Sequence, residues 1–184
     1  EDGTCYLDMA PRICVLGSRP YNYPFLEGRS FLFYELRCAA VDLRQTEIMA
    51  TMGDNPPHIL YYELEKLIDD KASPQEKVLE LQRLARSHND KKILSQLRTL
   101  KEKRIRHVVL SAFGCGAFQN NPEAIATQYH TLLRGDEFRT AFDVVHFAIY
   151  TGNDKNDVNF RTFEKILTPE AAAEAEPEAA PAVT

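Results

Sequence analysis

The residues best placed to do chemistry lie between Val108 and Tyr129, in the stretch VVLSAFGCGAFQNNPEAIATQY. An apolar run enters Gly114-Cys115-Gly116, continues through Ala117, Phe118, Gln119 and Asn120, and meets Asn121-Pro122-Glu123. Glycine lets the backbone turn and lets a ligand approach the main chain closely. Asn is a strong helix N-cap, and Pro suits the first helical position. Backbone N–H groups of such a loop and of the helix start together make an anion site, above all for phosphate. Phe118 adds an aromatic face that can cover a sugar or a base. The same order of strand, glycine turn and helix also serves plain packing in α/β proteins. The stretch is not a P-loop, because no Gly-Lys-Ser/Thr follows. It is not the dinucleotide fingerprint either, because Gln119 stands where the third glycine of GxGxxG belongs.

Other sets of reactive residues are less organised. Cys5, Cys14, Cys38 and Cys115 form no CxxC pair, and no His stands at zinc-ligand spacing from them. No metal and no cofactor is therefore expected. Cys14, Cys38 and Cys115 sit in apolar or Gly-rich surroundings, as reduced intracellular thiols do, so an intracellular protein, of the cytoplasm or nucleus, is expected. His58, His88, His107, His130 and His146 are scattered; His146 alternates within an apolar strand and reads as core. No Ser-His-Asp or Cys-His set can be read from order alone. Glu63, Glu65, Asp69 and Asp70, near Tyr61-Tyr62, read as a solvated helix face. Lys91, Lys92, Arg98, Lys101, Lys103, Arg104 and Arg106 are opposed only by Glu102 in that stretch. They could meet a nucleic acid. With Ile93, Leu97 and Leu100 on one face, the stretch reads first as an amphipathic surface helix.

The elements that must position these residues alternate. Short apolar runs at residues 12–17 (RICVLG), 107–113 (HVVLSAF) and 144–150 (VVHFAIY) suit strands, and residues 31–41 (FLFYELRCAAV) hold another, in their later half. Runs without polar alternation fit parallel strands covered on both faces. Residues 21–28 form an aromatic, Pro-containing loop. Helices are predicted at 58–69, from Ser73-Pro74 with Glu76 completing a capping box, at 91–103, from Asn121-Pro122 to about Arg134, and at 158–167. Val78, Leu79, Leu81, Leu84 and Ala85 give the second of these its apolar face.

The chain has 184 residues, enough for one domain with a real core. Its formal net charge of −5 argues against general nucleic-acid binding. Glu170, Glu174, Glu176 and Glu178 crowd the last sixteen residues, which hold no base; without them 23 acids face 22 basic residues. That Ala/Glu/Pro tail, residues 168–184, cannot bury enough apolar surface to offset its ordering entropy and is expected to be disordered. Residues 1–167 would then be the folded domain. No apolar run is long enough to span a membrane, and the N-terminus lacks the layout of a signal peptide.

The loop resembles the phosphate loop of the microbial type of poly(ADP-ribose) glycohydrolase, a branch of the macrodomain superfamily. The matching residues are Ser111-Ala112-Phe113-Gly114-Cys115-Gly116-Ala117-Phe118-Gln119-Asn120-Asn121-Pro122. Upstream, Cys38-Ala39-Ala40-Val41-Asp42-Leu43-Arg44 is similar to that family's Ala-Ala-Pro-Asn/Asp strand end, with Val41 in place of Pro. Downstream, residues 144–150 are similar to its closing strand. The resemblance covers residues 12–163, the C-terminal part of such a domain. It implies a three-layer α/β/α sandwich with a mainly parallel sheet, here lacking the N-terminal strands. It implies that Gly114, Cys115, Gly116, Ala117 and Phe118 wrap the diphosphate of ADP-ribose, with Phe118 against the distal ribose. Asn120 and Asn121 would brace the loop and cap the helix, and Ser111 would lie at its entry. Tyr150, followed by Thr151-Gly152-Asn153, would stand near the adenine, or equally be a strand-end aromatic packed on the surface. A helix N-terminus near Cys115 would lower its pKa; the family carries that Cys without nucleophilic duty, so packing is its expected role.

The family's catalytic motif, a Gly-Gly-Gly loop followed by paired acids, precedes everything matched here. This sequence has no Gly-Gly pair, and Glu27-Gly28-Arg29 alone gives no preorganised acid. Either the chain is truncated, or a partner supplies that half, or this homologue has lost it. A missing first half would leave an open sheet edge, which calls for a further segment or a covering protein partner. Three functions follow as expectations: binding of ADP-ribose or an ADP-ribosylated protein, with hydrolysis by the full-length protein; reading of ADP-ribose without turnover; or a scaffold that keeps only the fold.

Overall fold

The computed structural model describes residues 5–14, 31–43, 73–151 and 157–168. It is a mixed α/β structure. Strands β1 (Tyr6–Cys14) and β2 (Phe31–Arg37) pair antiparallel. Helix α1 (Pro74–Glu102) is followed by β3 (His107–Leu110), α2 (Pro122–Arg134), β4 (Val144–Phe147) and α3 (Val158–Leu167). Strands β3 and β4 pair in parallel, His107 opposite Val144 and Leu110 opposite Phe147. Parallel strands need a crossover, and α2 is the helix between them.

Helix α1 starts as its sequence predicts. Ser73 accepts from the N–H of Glu76, and Glu76 accepts from the N–H of Ser73, a reciprocal capping box. It does not stop where expected. The two helices predicted from Ser73 and over 91–103 are one, because residues 86–90 contain no Gly or Pro to break it. The helix ends at Arg104, whose φ of 55° is left-handed; Ile105 N–H reaches Leu100 C=O at 3.0 Å and Arg104 N–H reaches Lys101 C=O at 3.0 Å. These two bonds satisfy carbonyls that a helix end would otherwise orphan.

One core joins the three helices to β3. Ile93 and Leu97 of α1, Ile125, Ala126 and Tyr129 of α2, Phe163 of α3, and Val108 and Leu110 of β3 are buried together. The Phe147 ring lies 5.1 Å from that of Tyr129 and 5.6 Å from that of Phe163. The Tyr129 hydroxyl donates to Gln96 Oε1 at 2.7 Å, so its polar end is satisfied where the ring is buried.

Several sequence expectations are corrected. The first two strands are not central parallel strands. They pair antiparallel, and Phe31, Leu32, Phe33 and Tyr34 are exposed. Strand β1 begins upstream, at Tyr6, and its register shifts between Asp8 and Arg12, around Pro11, which has no N–H for the ladder. In 31–41 it is the earlier half that forms the strand, because the backbone from Cys38 onward turns to the loop after β3. Strand β3 is covered on one face only: Val108 and Leu110 are buried while His107 and Val109 are exposed. His146 is exposed rather than core, since alternation turns it to the open face opposite Val109. Leu79, expected on an apolar face, is exposed. The helix at 58–69, its acidic residues, the loop at 21–28, Gly152-Asn153 and residues 169–184 lie outside the described residues. Among the described residues no helix is long and apolar enough to cross a membrane.

Candidate functional site

The loop from Ser111 to Asn121 leaves the carboxyl end of β3 and enters α2, the edge of a parallel sheet where ligands commonly bind. Its shape is set from behind. Asn120 is buried, and its amide nitrogen donates to Val41 C=O at 2.7 Å and to Gly114 C=O at 3.1 Å. Its Oδ1 accepts from Asn89 Nδ2 at 2.7 Å. Asn89, also buried, accepts from Val41 N–H at 2.9 Å through its own Oδ1. Two asparagines thus satisfy both backbone groups of Val41 and lock residues 38–43 against the loop. A buried polar group left unpaired would cost about 1–3 kcal/mol. Two further ties hold the segment: Leu43 N–H to Phe118 C=O at 2.9 Å, and Lys92 Nζ to Ala39 C=O at 2.7 Å.

Gly114 is the residue this arrangement requires. Its φ is +74°, and a Cβ there would come within 2.4 Å of Ala40 Cβ and 2.5 Å of Asn120 Nδ2. No side chain fits, and the backbone conformation favours glycine. Cys115 N–H closes a turn onto Ala112 C=O at 3.0 Å, and Gln119 N–H one onto Gly116 C=O at 3.1 Å. Gln119, which departs from the dinucleotide pattern, takes a φ of 56°, a conformation a glycine there would adopt freely.

The front of the loop is different. A Cβ at Gly116 would meet nothing within 4 Å, and Gly116 and Ala117 are exposed. Their N–H groups find no hydrogen-bond partner among the described residues. They are two adjacent donors on an exposed part of the loop, and successive backbone N–H groups can take an anion. The helix start contributes less than expected. Asn121 Oδ1 already accepts from Glu123 N–H at 2.8 Å and Ala124 N–H at 3.2 Å, and Pro122 has no N–H. The helix dipole still favours an anion there, and the N–H groups of Gly116 and Ala117 are exposed donors beside it.

Phe118 is half-buried and packs on the core as well as lining the loop. Ser111 is exposed at the entry, and Tyr150, beyond the end of β4 on the same sheet edge, is 81% exposed. Cys115 is buried and its thiol lies 3.7 Å from Phe113 C=O. Burial pushes its thiol up to about 12, against the lowering expected beside a helix start.

Sequence reasoning missed Asn89, Lys92 and Asn159. Asn159, in the first turn of α3, donates to Cys115 C=O at 3.5 Å. Asn89 carries a signal of a kind: Asn disfavours a helix interior unless its amide is used elsewhere. Lys92, in the basic stretch, is turned inward. Others of that stretch are engaged within the chain, Arg98 with Glu137, Lys101 with Glu137 C=O and Arg106 with Asp143.

No family model matches the chain, and no curated protein does. Solved structures do. The chain is similar to poly(ADP-ribose) glycohydrolase from Deinococcus radiodurans in complex with ADP-ribose, with 26% identity and a TM-score of 0.46, over 53% of this chain and 38% of that one. A second structure of that complex matches with 28% identity and a TM-score of 0.42, over 54% and 37%. The apo form matches with 28% identity and a TM-score of 0.40, over 52% and 36%. The match spans less than two fifths of the length of these structures.

Proposed function

We propose that this chain binds ADP-ribose at the loop between β3 and α2, with the N–H groups of Gly116 and Ala117 on the diphosphate. The observation that carries this is the open rim at Gly116 above a back wall fixed by Gly114 and Asn120. Ser111, Cys115, Phe118 and Asn121 shape the loop, Phe118 offers an edge to the distal ribose, and Tyr150 stands on the adenine side. In this reading residues 1–167 form part of a three-layer α/β/α macrodomain-type sandwich followed by an Ala/Glu/Pro tail. The full-length protein would remove ADP-ribose from modified proteins or cleave its polymer.

A second reading, binding without turnover, rests on one fact: the sequence holds no Gly-Gly pair and no paired acids beside one. Calorimetric titration with ADP-ribose, with AMP as the control, tests the shared step. Micromolar binding selective for ADP-ribose is expected, and its loss in Gly116→Glu, where the new carboxylate meets the diphosphate. Unchanged affinity in that variant would overturn the assignment. Release of ADP-ribose from a modified protein by this chain alone would exclude the second reading.

A further inference from the structure

Two cysteines meet at the start of the segment that holds the loop. In the β1–β2 ladder Tyr6 pairs with Arg37. One step further along, the same register carries Cys5 opposite Cys38, and each thiol is a neighbour of the other. Residues directly opposite in an antiparallel pair lie about 4.5–5.5 Å apart at Cα with side chains on the same side, inside the range that a disulfide spans. Both thiols are half-buried, and neither is bonded to another sulfur. The Cys5 sulfur lies 3.6 Å from Lys92 C=O, and the Lys92 ammonium donates to Ala39 C=O at 2.7 Å, next to Cys38. One residue of α1 therefore anchors both sides of the pair.

We propose that Cys5 and Cys38 form a peroxide-responsive dithiol, which closes to an intramolecular disulfide between the residue before β1 and the segment at residues 38–43. The phosphate loop plays no part in the chemistry, so the proposal stands apart from the proposed function.

The groups around the pair divide the labour. Cys38 is held below the usual thiol range, by Cys5 foremost, with burial opposing and with Gln96 and the Lys92 charge assisting. Cys5 is raised, by its bond with Cys38 first and by burial second, against smaller lowering effects of Ser95 and Lys92. Cys38 is the attacking thiolate and Cys5 the resolving thiol. The Cys38 thiolate attacks one oxygen of a hydroperoxide and the O–O bond breaks, giving a sulfenic acid at Cys38 and a hydroxide that takes a proton to become water (an alkoxide becomes an alcohol). The Cys5 sulfur then attacks the sulfenic sulfur. The S–O bond breaks, and hydroxide leaves with the Cys5 proton as a second water. Two thiols lose two electrons in all, and the peroxide gains them.

The test is peptide mapping of the whole chain. The reduced chain is treated with hydrogen peroxide, blocked with N-ethylmaleimide, digested without reductant and read by mass spectrometry. A linked peptide pair joining Cys5 to Cys38 is expected, unchanged in yield on tenfold dilution and lost with dithiothreitol. Cys38 is expected to be consumed at least about tenfold faster than Cys115, whose thiol is buried. In Cys5→Ser the link gives way to a Cys38 sulfenic acid that dimedone captures; in Cys38→Ser Cys5 stays unmodified. Absence of the linked pair from the unaltered chain, or consumption of Cys38 no faster than Cys115, would overturn the proposal without reliance on any variant folding.

Discussion

The loop after β3 has two sides built on opposite rules. Behind it the buried amides are paired: Asn89 and Asn120 satisfy Val41 and Gly114, and Gly114 admits no side chain. In front, Gly116 faces open space and its N–H and that of Ala117 are unpaired among the described residues. One glycine is there for lack of room and the other for access. The contrast teaches how a binding loop is made rigid, by spending its hydrogen bonds on the side that the ligand never touches.

Substitutions that separate the two sides should break or sharpen this contrast. The largest effect is expected from Gly114→Ala. A left-handed φ with a Cβ costs about 1–2 kcal/mol, and a clash in a packed site adds about 1–3 kcal/mol, so urea unfolding should report a loss of about 3 kcal/mol or more. A neutral result would mean that the back wall yields freely. Gly116→Glu should do the opposite, weakening ADP-ribose about 100-fold or more through like-charge repulsion while leaving stability within about 0.5 kcal/mol. A matching loss of stability would erase the distinction between the two glycines.

Next comes Asn120→Leu, which strands the buried Val41 carbonyl and should cost about 2 kcal/mol. Paired with Asn89→Leu in a double-mutant cycle, the two should be non-additive by about 0.5–3 kcal/mol, since they share one network. Strict additivity would show that the asparagines act independently. The smallest effect is expected for Asn121→Ala, about 1 kcal/mol from loss of the N-cap, with thermal unfolding as the readout. A large loss of ADP-ribose affinity in that variant would place Asn121 at the ligand rather than at the helix.

The two strand pairs differ in how far they could be read. Strands β3 and β4, with α2 between them, follow from apolar runs, a glycine turn and the Asn121-Pro122 start, all local signals. For β1 and β2 the runs at 12–17 and 31–41 indicate strands, but not their bounds, antiparallel pairing or exposure, since an apolar run such as Phe31–Tyr34 looks the same whether it is covered or exposed. The sequence divides α1 into two helices around the polar residues 86–90, where the structure has one continuous helix. There Asn89 does not cap a helix end; it reaches across to Val41.

By itself the sequence determined the strand–loop–helix unit and its glycines, because turn chemistry, caps and hydrophobic period act between near neighbours in the chain. What only the tertiary structure decided is which glycine is closed and which is open, which asparagine is a cap and which a clamp, and that Cys5 meets Cys38. Those outcomes depend on residues far apart in sequence, Val41 with Asn89 and Asn120 above all. Local propensity carries no record of such a meeting; burial, which makes each unpaired donor or acceptor costly, selects it when the chain folds.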